Sequence, residues 1–354
     1  MRTRTRRIVS KITKVAAVAL AALLFTSACS LVHRQVETEK LLTPLSEANT
    51  SDLISVVNQL VGVRSIRGRV DIQFEDTSFA TSGIADKYRT ADGSILIERP
   101  GKVYLAIQGP LAIDIVQMTS DGEHFRIAVL KGDEKYRRFV KGTNSAVYPK
   151  LDVDDAAGAG AGAGADKKGK SSSEAKTVSA LSNLRPQHLT EALLISPVDG
   201  HASGVLYTKS EFFESEKDPA KSDSNKRVVR GYYLLDELQP GADNSARLLR
   251  RFWFDRVGGI RLARLQSFDE KGTLITDVTY GPLTKFGAEG EGRQMPANVS
   301  LTRPQDHYKI TVTYQAPESL VLDHDYPAEV FVLLNKWNLP EVDLDAKKTT
   351  PPQK

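Results

Sequence analysis

From Ile66 onward the chain falls into short runs in which apolar and polar residues alternate, and the links between runs are only a few residues long. Ile66, Gly68, Val70, Ile72 and Phe74 open the series. A period of two is the pattern of a strand with one buried face. Runs at 94–99, 102–108, 112–118 and 125–130 follow, punctuated by Asp92-Gly93, Pro100-Gly101, Gly109-Pro110 and Ser120-Asp121-Gly122. Links this tight leave no room for a crossover, so neighbouring runs must pair antiparallel. Similar runs return at 227–238, 247–255, 260–268, 274–280, 297–302, 308–314 and 329–334. About eleven or twelve such strands do not stay flat; they curl into a barrel or part of one.

Two segments carry the helical period instead. Leu53, Ile54, Val57, Leu60 and Val61 form one apolar stripe behind Ser51-Asp52, residues that cap a helix, and the stripe ends near Gly62. Leu181, Leu184, Leu189, Leu193 and Leu194 mark a second stripe, with Pro186 where a helix would begin. The concave side of a curled sheet is the place where both stripes can bury. The expected fold class is mainly β with helices: an incomplete antiparallel β-barrel lidded by amphipathic helices. Residues 50–340 are expected to form one such domain. It is interrupted at 152–176 by an Ala/Gly/Lys/Ser stretch that offers nothing to bury and reads as a disordered loop. A further polar extension lies at 215–226. Residues 29–49 read as a flexible tether and 341–354 as a disordered tail.

The first 28 residues stand apart. Arg2, Arg4, Arg6, Arg7, Lys11 and Lys14 precede an apolar run at 15–25, and Thr26-Ser27-Ala28 leads into Cys29, the single cysteine of the chain. This is the plan of a secretory signal peptide. A cysteine directly after small residues resembles a bacterial lipobox, with Thr26 where leucine is usual. The resemblance implies cleavage before Cys29, a diacylglyceryl chain on its thiol and an acylated amine of the palmitate kind, making a lipid-anchored protein. Two other readings stay open: a signal cleaved nearby that leaves a free thiol, or a membrane helix. The apolar run is short for a span, and a free thiol sits oddly in an oxidising envelope. Removing the signal turns the formal charge from +4 to −2, so the basic balance gives no support for a nucleic-acid partner. With Cys29 acylated no disulfide can form, and stability must come from the core. Ser30 rather than Asp follows Cys29, which by resemblance to the known sorting rule points to the periplasmic face of the outer membrane.

Signs of catalysis are lacking. The sequence has no GxSxG elbow, no HExxH and no phosphate-binding glycine loop, and no cofactor is expected. The six histidines are scattered, without helical ligand spacing, and Asp323-His324-Asp325 ahead of Pro327 reads as a solvated turn rather than a metal site. Asp152, Asp154 and Asp155 read as a solvated charge cluster beside the loop.

The stretch 93–122, GSILIERPGKVYLAIQGPLAIDIVQMTSDG, resembles the periplasmic lipoprotein carriers and outer-membrane lipoprotein acceptors of the LolA/LolB type. Gly93, Arg99-Pro100, an apolar strand and a Ser-Asp-Gly turn are similar to the carrier. The strand running into Gly109-Pro110-Leu111 is similar to the acceptor, as is Met295-Pro296-Ala297-Asn298-Val299-Ser300-Leu301 near the C-terminus. The segments at 152–176 and 215–226 depart from the simple carriers.

What this resemblance implies is a half-barrel with an apolar interior that takes up lipid or lipoprotein acyl chains, in a lipoprotein that helps place lipoproteins or lipids at the outer membrane. Ile95, Ile97 and Arg99 share one face, and Val103, Leu105 and Ile107 face them; together they are the expected ligand-binding residues, lining a cavity wide enough for an acyl chain. By the carrier pattern Arg99 points inward and holds the lid, where helix-end or loop carbonyls would receive it. By default a strand-end arginine instead snorkels outward. By the acceptor pattern Leu111 dips into the membrane from its turn, whereas a plain reading folds it back on the core rim. The rival to ligand binding is a packed structural or interaction scaffold in an envelope complex. Protein partners are not legible.

Overall fold

The computed structural model describes residues 38–77, 86–87, 90–109, 113–132, 134, 137–146, 148, 185–218, 226–288 and 292–347. Cys29 and the signal, Leu111, Leu181, Leu184 and the stretch at 152–176 lie outside the described residues.

In chain order the elements are β1 (Lys40–Leu41), α1 (Thr50–Val61), β2 (Ser65–Asp76), β3 (Asp86–Lys87), β4 (Ala91–Glu98), β5 (Lys102–Gln108), β6 (Asp114–Asp121), β7 (His124–Val129), β8 (Arg138–Thr143) and α2 (Pro186–Leu193). They continue as β9 (Leu206–Lys217), β10 (Arg227–Pro240), β11 (Ala246–Asp255), β12 (Arg261–Phe268), β13 (Leu274–Tyr280), β14 (Leu283–Phe286), β15 (Arg293–Pro296), β16 (Asn298–Arg303), β17 (Tyr308–Tyr314), β18 (Val321–Leu322), β19 (Glu341–Asp343) and α3 (Leu344–Lys347).

Seventeen of these strands form one sheet. Its long strands pair antiparallel in the order β9-β10-β11-β12-β13-β16-β17-β2-β4-β5-β6-β7-β8. Short strands flank them: β3 and β18 lie beside β2, while β1 and β19 run parallel to β10 and β8. Among the described residues no ladder joins β9 to β8 or β19, so the curl stays open. The hairpin β14–β15 stands outside the sheet. The count exceeds the expected strands because of the short flanking strands, β8 and β9. Exposed along nearly its whole length, β9 has no buried face to show alternation.

The helices lie on the concave side. The N-cap of α1 is Asn49, in a reciprocal box with Asp52, rather than the Ser51-Asp52 pair. Its stripe buries Leu53 and Val57 completely and Leu60 nearly so, each worth about 1.5–3 kcal/mol of transfer. α2 starts at Pro186, whose fixed φ suits the first helical position, and buries Leu189 and Leu193 in the same cluster.

Three sequence expectations need correction. Residues 38–49 are tied down: Lys40 and Leu41 pair with Val228 and Val229, and Arg256, 3 % exposed on its side chain, binds Glu47. Ionic anchors carry no hydrophobic period. The run 329–334 is a 3-10 turn at Ala328–Phe331 followed by extended chain, crossing the outer face of the sheet with Phe331 fully buried. The presumed tail holds β19 and α3 as far as Lys347, with Leu344 2 % exposed.

Candidate functional site

Arg99 follows β4 on the turn into β5, beneath the C-terminal ends of both helices. Its Nε donates to the Val63 carbonyl at 2.9 Å, Nη1 to the Leu194 carbonyl at 3.1 Å and Nη2 to the Ile195 carbonyl at 2.9 Å. Val63 lies just past α1, and Leu194 and Ile195 just past α2. The last carbonyls of a helix have no intrahelical donor, and that end favours a cation. One guanidinium thus serves the ends of two helices, and burial pulls its pKa down.

Other polar ties join the lid segments to each other and to the sheet. Asn58 Nδ2 donates to the Val198 carbonyl at 2.8 Å, and the Val198 amide donates back to Asn58 Oδ1 at 3.0 Å. Tyr280 donates its hydroxyl to the Ala192 carbonyl. His188 Nδ1 lies 2.9 Å from the Tyr308 hydroxyl inside the protein. Burial, with Arg303 and Arg185 adding to it, holds the His188 pKa well below the usual imidazole range. Burial pushes Glu191 and Tyr308 up.

The expected lining residues are buried. Ile95, Ile97, Val103, Leu105 and Ile107 are all buried and belong to the same cluster as Leu53, Val57, Leu60, Leu189 and Leu193. All five side chains point into this shared cluster and away from solvent. Alternation reports which face a side chain takes; it says nothing of how closely the opposing layer approaches. Phe252, Phe254 and Phe286, all fully buried, belong to the same cluster. A void of about 10 Å³ remains beside Leu60, Leu193, Tyr280, Met295, Val299 and Tyr314. A water molecule needs about as much or more.

Space does exist at the mouth. A groove of about 270 Å³ runs between α1 (Val56, Leu60), β12 (Arg261, Leu262) with the preceding Ile260, and the β14–β15 hairpin (Leu283, Arg293, Gln294). Leu60 lines both the groove and the inner void. Arg293 fixes the rim, donating to the Gly62 carbonyl at 2.5 Å and pairing with Asp323 at 2.9 Å. Sequence reasoning placed Leu60 on the buried stripe but had no signal for the hairpin opposite, whose residues come from far along the chain. Of the expected site residues, the structure brings Ile95, Ile97, Val103, Leu105 and Ile107 into one core and sets Arg99 at its edge.

No family profile matches the chain, and no curated protein does. Among solved structures, the chain is similar to a LolA superfamily protein from Nitrosomonas europaea, with 11 % identity, 81 % of this chain and 99 % of that one covered, and a TM-score of 0.37. It is similar to a DUF1329 family protein from Desulfovibrio piger at 10 % identity, covering 79 % and 95 %, with a TM-score of 0.35. A domain from Vibrio parahaemolyticus named for outer membrane lipoprotein sorting gives 10 % identity, 80 % and 97 % coverage, and a TM-score of 0.36. With scores this low, the architecture rests on the strand pairings above.

Proposed function

We propose that this chain is a membrane-anchored envelope lipoprotein whose half-barrel takes up acyl chains or a similar apolar ligand, in the service of lipoprotein or lipid placement at the outer membrane. One observation carries the reading: the mouth groove, apolar along Val56, Leu60, Ile260, Leu262 and Leu283 and polar at Gln59, Arg261, Arg293 and Gln294, shares Leu60 with the interior void. The groove alone is close to the lower size of a small-ligand site. A chain that displaced Leu60 would reach the concave core as the lid lifts from the sheet. Arg99 holds the shut state through three backbone carbonyls, bonds that can break without leaving a carboxylate unpaired. Cys29 supplies the lipid anchor, and Leu111 the membrane-contacting turn.

Burial of the expected lining residues favours a second reading, an anchored scaffold that binds no ligand. Mass spectrometry of lipids extracted from purified Cys29→Ala protein separates the two. Co-purifying acyl lipid that is lost in Leu60→Trp supports uptake. Protein free of lipid, even when Arg99→Ala loosens the lid, supports the scaffold.

A further inference from the structure

The convex face of the sheet carries a second recess, on the side away from the lid. Ile66 and Val70 of β2 are fully buried toward the helices, which turns Arg67 and Arg69 outward. Register sets Arg67 opposite Leu96, Leu96 opposite Tyr104, and Arg69 opposite Ser94. The C-terminal segment crosses above them and contributes Tyr326 and Val330. Between the two layers lies a groove of about 510 Å³.

Its polar groups are left over. Outward arginines elsewhere on this sheet each meet a carboxylate: Arg251 with Asp236, Arg264 with Asp277, and Arg230 and Arg261 with Asp255. Among the described residues neither Arg67 nor Arg69 has an ion pair. Arg67 does stack over the Tyr326 ring at 5.9 Å. Nearby acids are engaged elsewhere, Asp71 and Asp92 by Gln315, Asp325 by Arg64 and Asp323 by Arg293. The Tyr326 hydroxyl is buried without a hydrogen-bond partner, a costly state that calls for an acceptor. Two arginines two residues apart on one strand face stand ~7 Å apart at their base, close enough for both guanidinium forks to close on one tetrahedral anion. Leu96 and Val330 supply apolar surface beside them.

We infer that this groove is a binding site for a phosphate group borne on an apolar body. Arg67 and Arg69 hold the phosphate oxygens, the Tyr326 hydroxyl donates to one of them, Ser94 and Tyr104 supply further donors, and the apolar part lies along Leu96 and Val330. The site is independent of ligand uptake at Leu60, since it occupies the opposite face of the sheet.

Titration calorimetry of the purified protein with monomeric dihexanoyl-phosphatidylglycerol, and separately with inorganic phosphate, tests the assignment. The lipid is expected to bind, and the double variant Arg67→Gln/Arg69→Gln, altered at exposed positions, to bind it about tenfold or more weakly. Tyr326→Phe removes one hydroxyl and is expected to weaken binding about threefold without lowering the melting temperature. Inorganic phosphate should bind about tenfold more weakly than the lipid, lacking the apolar contact. Absence of lipid binding, or equal affinity in wild type and double variant, would overturn the site. Equal affinity for phosphate and lipid would overturn the apolar half of the assignment. Uptake at the Leu60 groove should be unaffected in the double variant.

Discussion

Arg99 reaches Ile195 with a 2.9 Å hydrogen bond from Nη2 to the carbonyl, and through its other nitrogens the same side chain holds Leu194 and Val63. Arg99→Ala strips a donor from three carbonyls and is expected to cost about 1–3 kcal/mol. The more telling readout is local. Hydrogen exchange should accelerate in α1 and α2 and stay unchanged in β10 to β13. Arg99→Lys keeps the charge but loses the planar fork, and should fall between. A stability loss spread evenly over all elements would contradict a latch.

The buried pair of His188 and Tyr308 makes a prediction about acid. The folded protein holds the His188 pKa well below its unfolded value of 6.5, so below that pH the unfolded chain binds a proton the native state refuses. The contribution is fully present above about pH 6.5 and is lost as pH falls, at up to about 1.4 kcal/mol per pH unit. Glu191 acts with the opposite sign: its folded pKa is raised above 4.5, so its contribution is lost as pH rises from there. Subtracting the denaturation profile of His188→Gln from that of wild type isolates the histidine. The difference should grow as pH drops from about 6.5 to 5; parallel profiles would refute it.

Gly68 is there because Leu320 occupies the place of its side chain. A Cβ on residue 68 would lie 1.9 Å from Leu320 Cδ2, and Leu320 is itself buried. Gly68→Ala should destabilise by about 1–3 kcal/mol. In the background of Leu320→Ala, which clears the space, the same change should cost little. Urea denaturation of the four proteins in this cycle measures the coupling, which additivity of the two changes would exclude.

Cys29 carries the proposed address. In a bacterial host, labelled palmitate should enter the wild-type protein and not Cys29→Ser, and the variant should leave the membrane fraction or accumulate uncleaved. Equal labelling of both would remove the lipoprotein reading.

Much of this was legible in the sequence because strands with one wet and one dry face announce themselves: Ile95 and Ile97 fall inward with Ile66 and Val70, as the period requires. Where structure depends on something other than period, the sequence was silent. β9 is exposed on both faces. The C-terminal segment is anchored by Phe331, Leu333 and Trp337, apolar residues at irregular intervals. The segment before α1 is held by Arg256 and Glu47, a charge pair without sequence proximity. That Arg99 shares a face with Ile95 and Ile97 could be read, but whether its head turned inward to carbonyl acceptors or outward to water was left open by the sequence. That free volume lies beside Leu60, between α1, β12 and the β14–β15 hairpin, depends on packing between distant segments.

The central claim is that an apolar chain enters beside Leu60 and that Arg99 opposes its entry. Photo-cross-linking with a diazirine-bearing palmitate, mapped by peptide mass spectrometry, tests this directly. The account predicts adducts on α1 near Leu60 and on Ile260, Leu262, Leu283 and Met295, with a yield that rises several-fold in Arg99→Ala and falls in Leu60→Trp. Adducts scattered over the surface, or a yield indifferent to both substitutions, would contradict it.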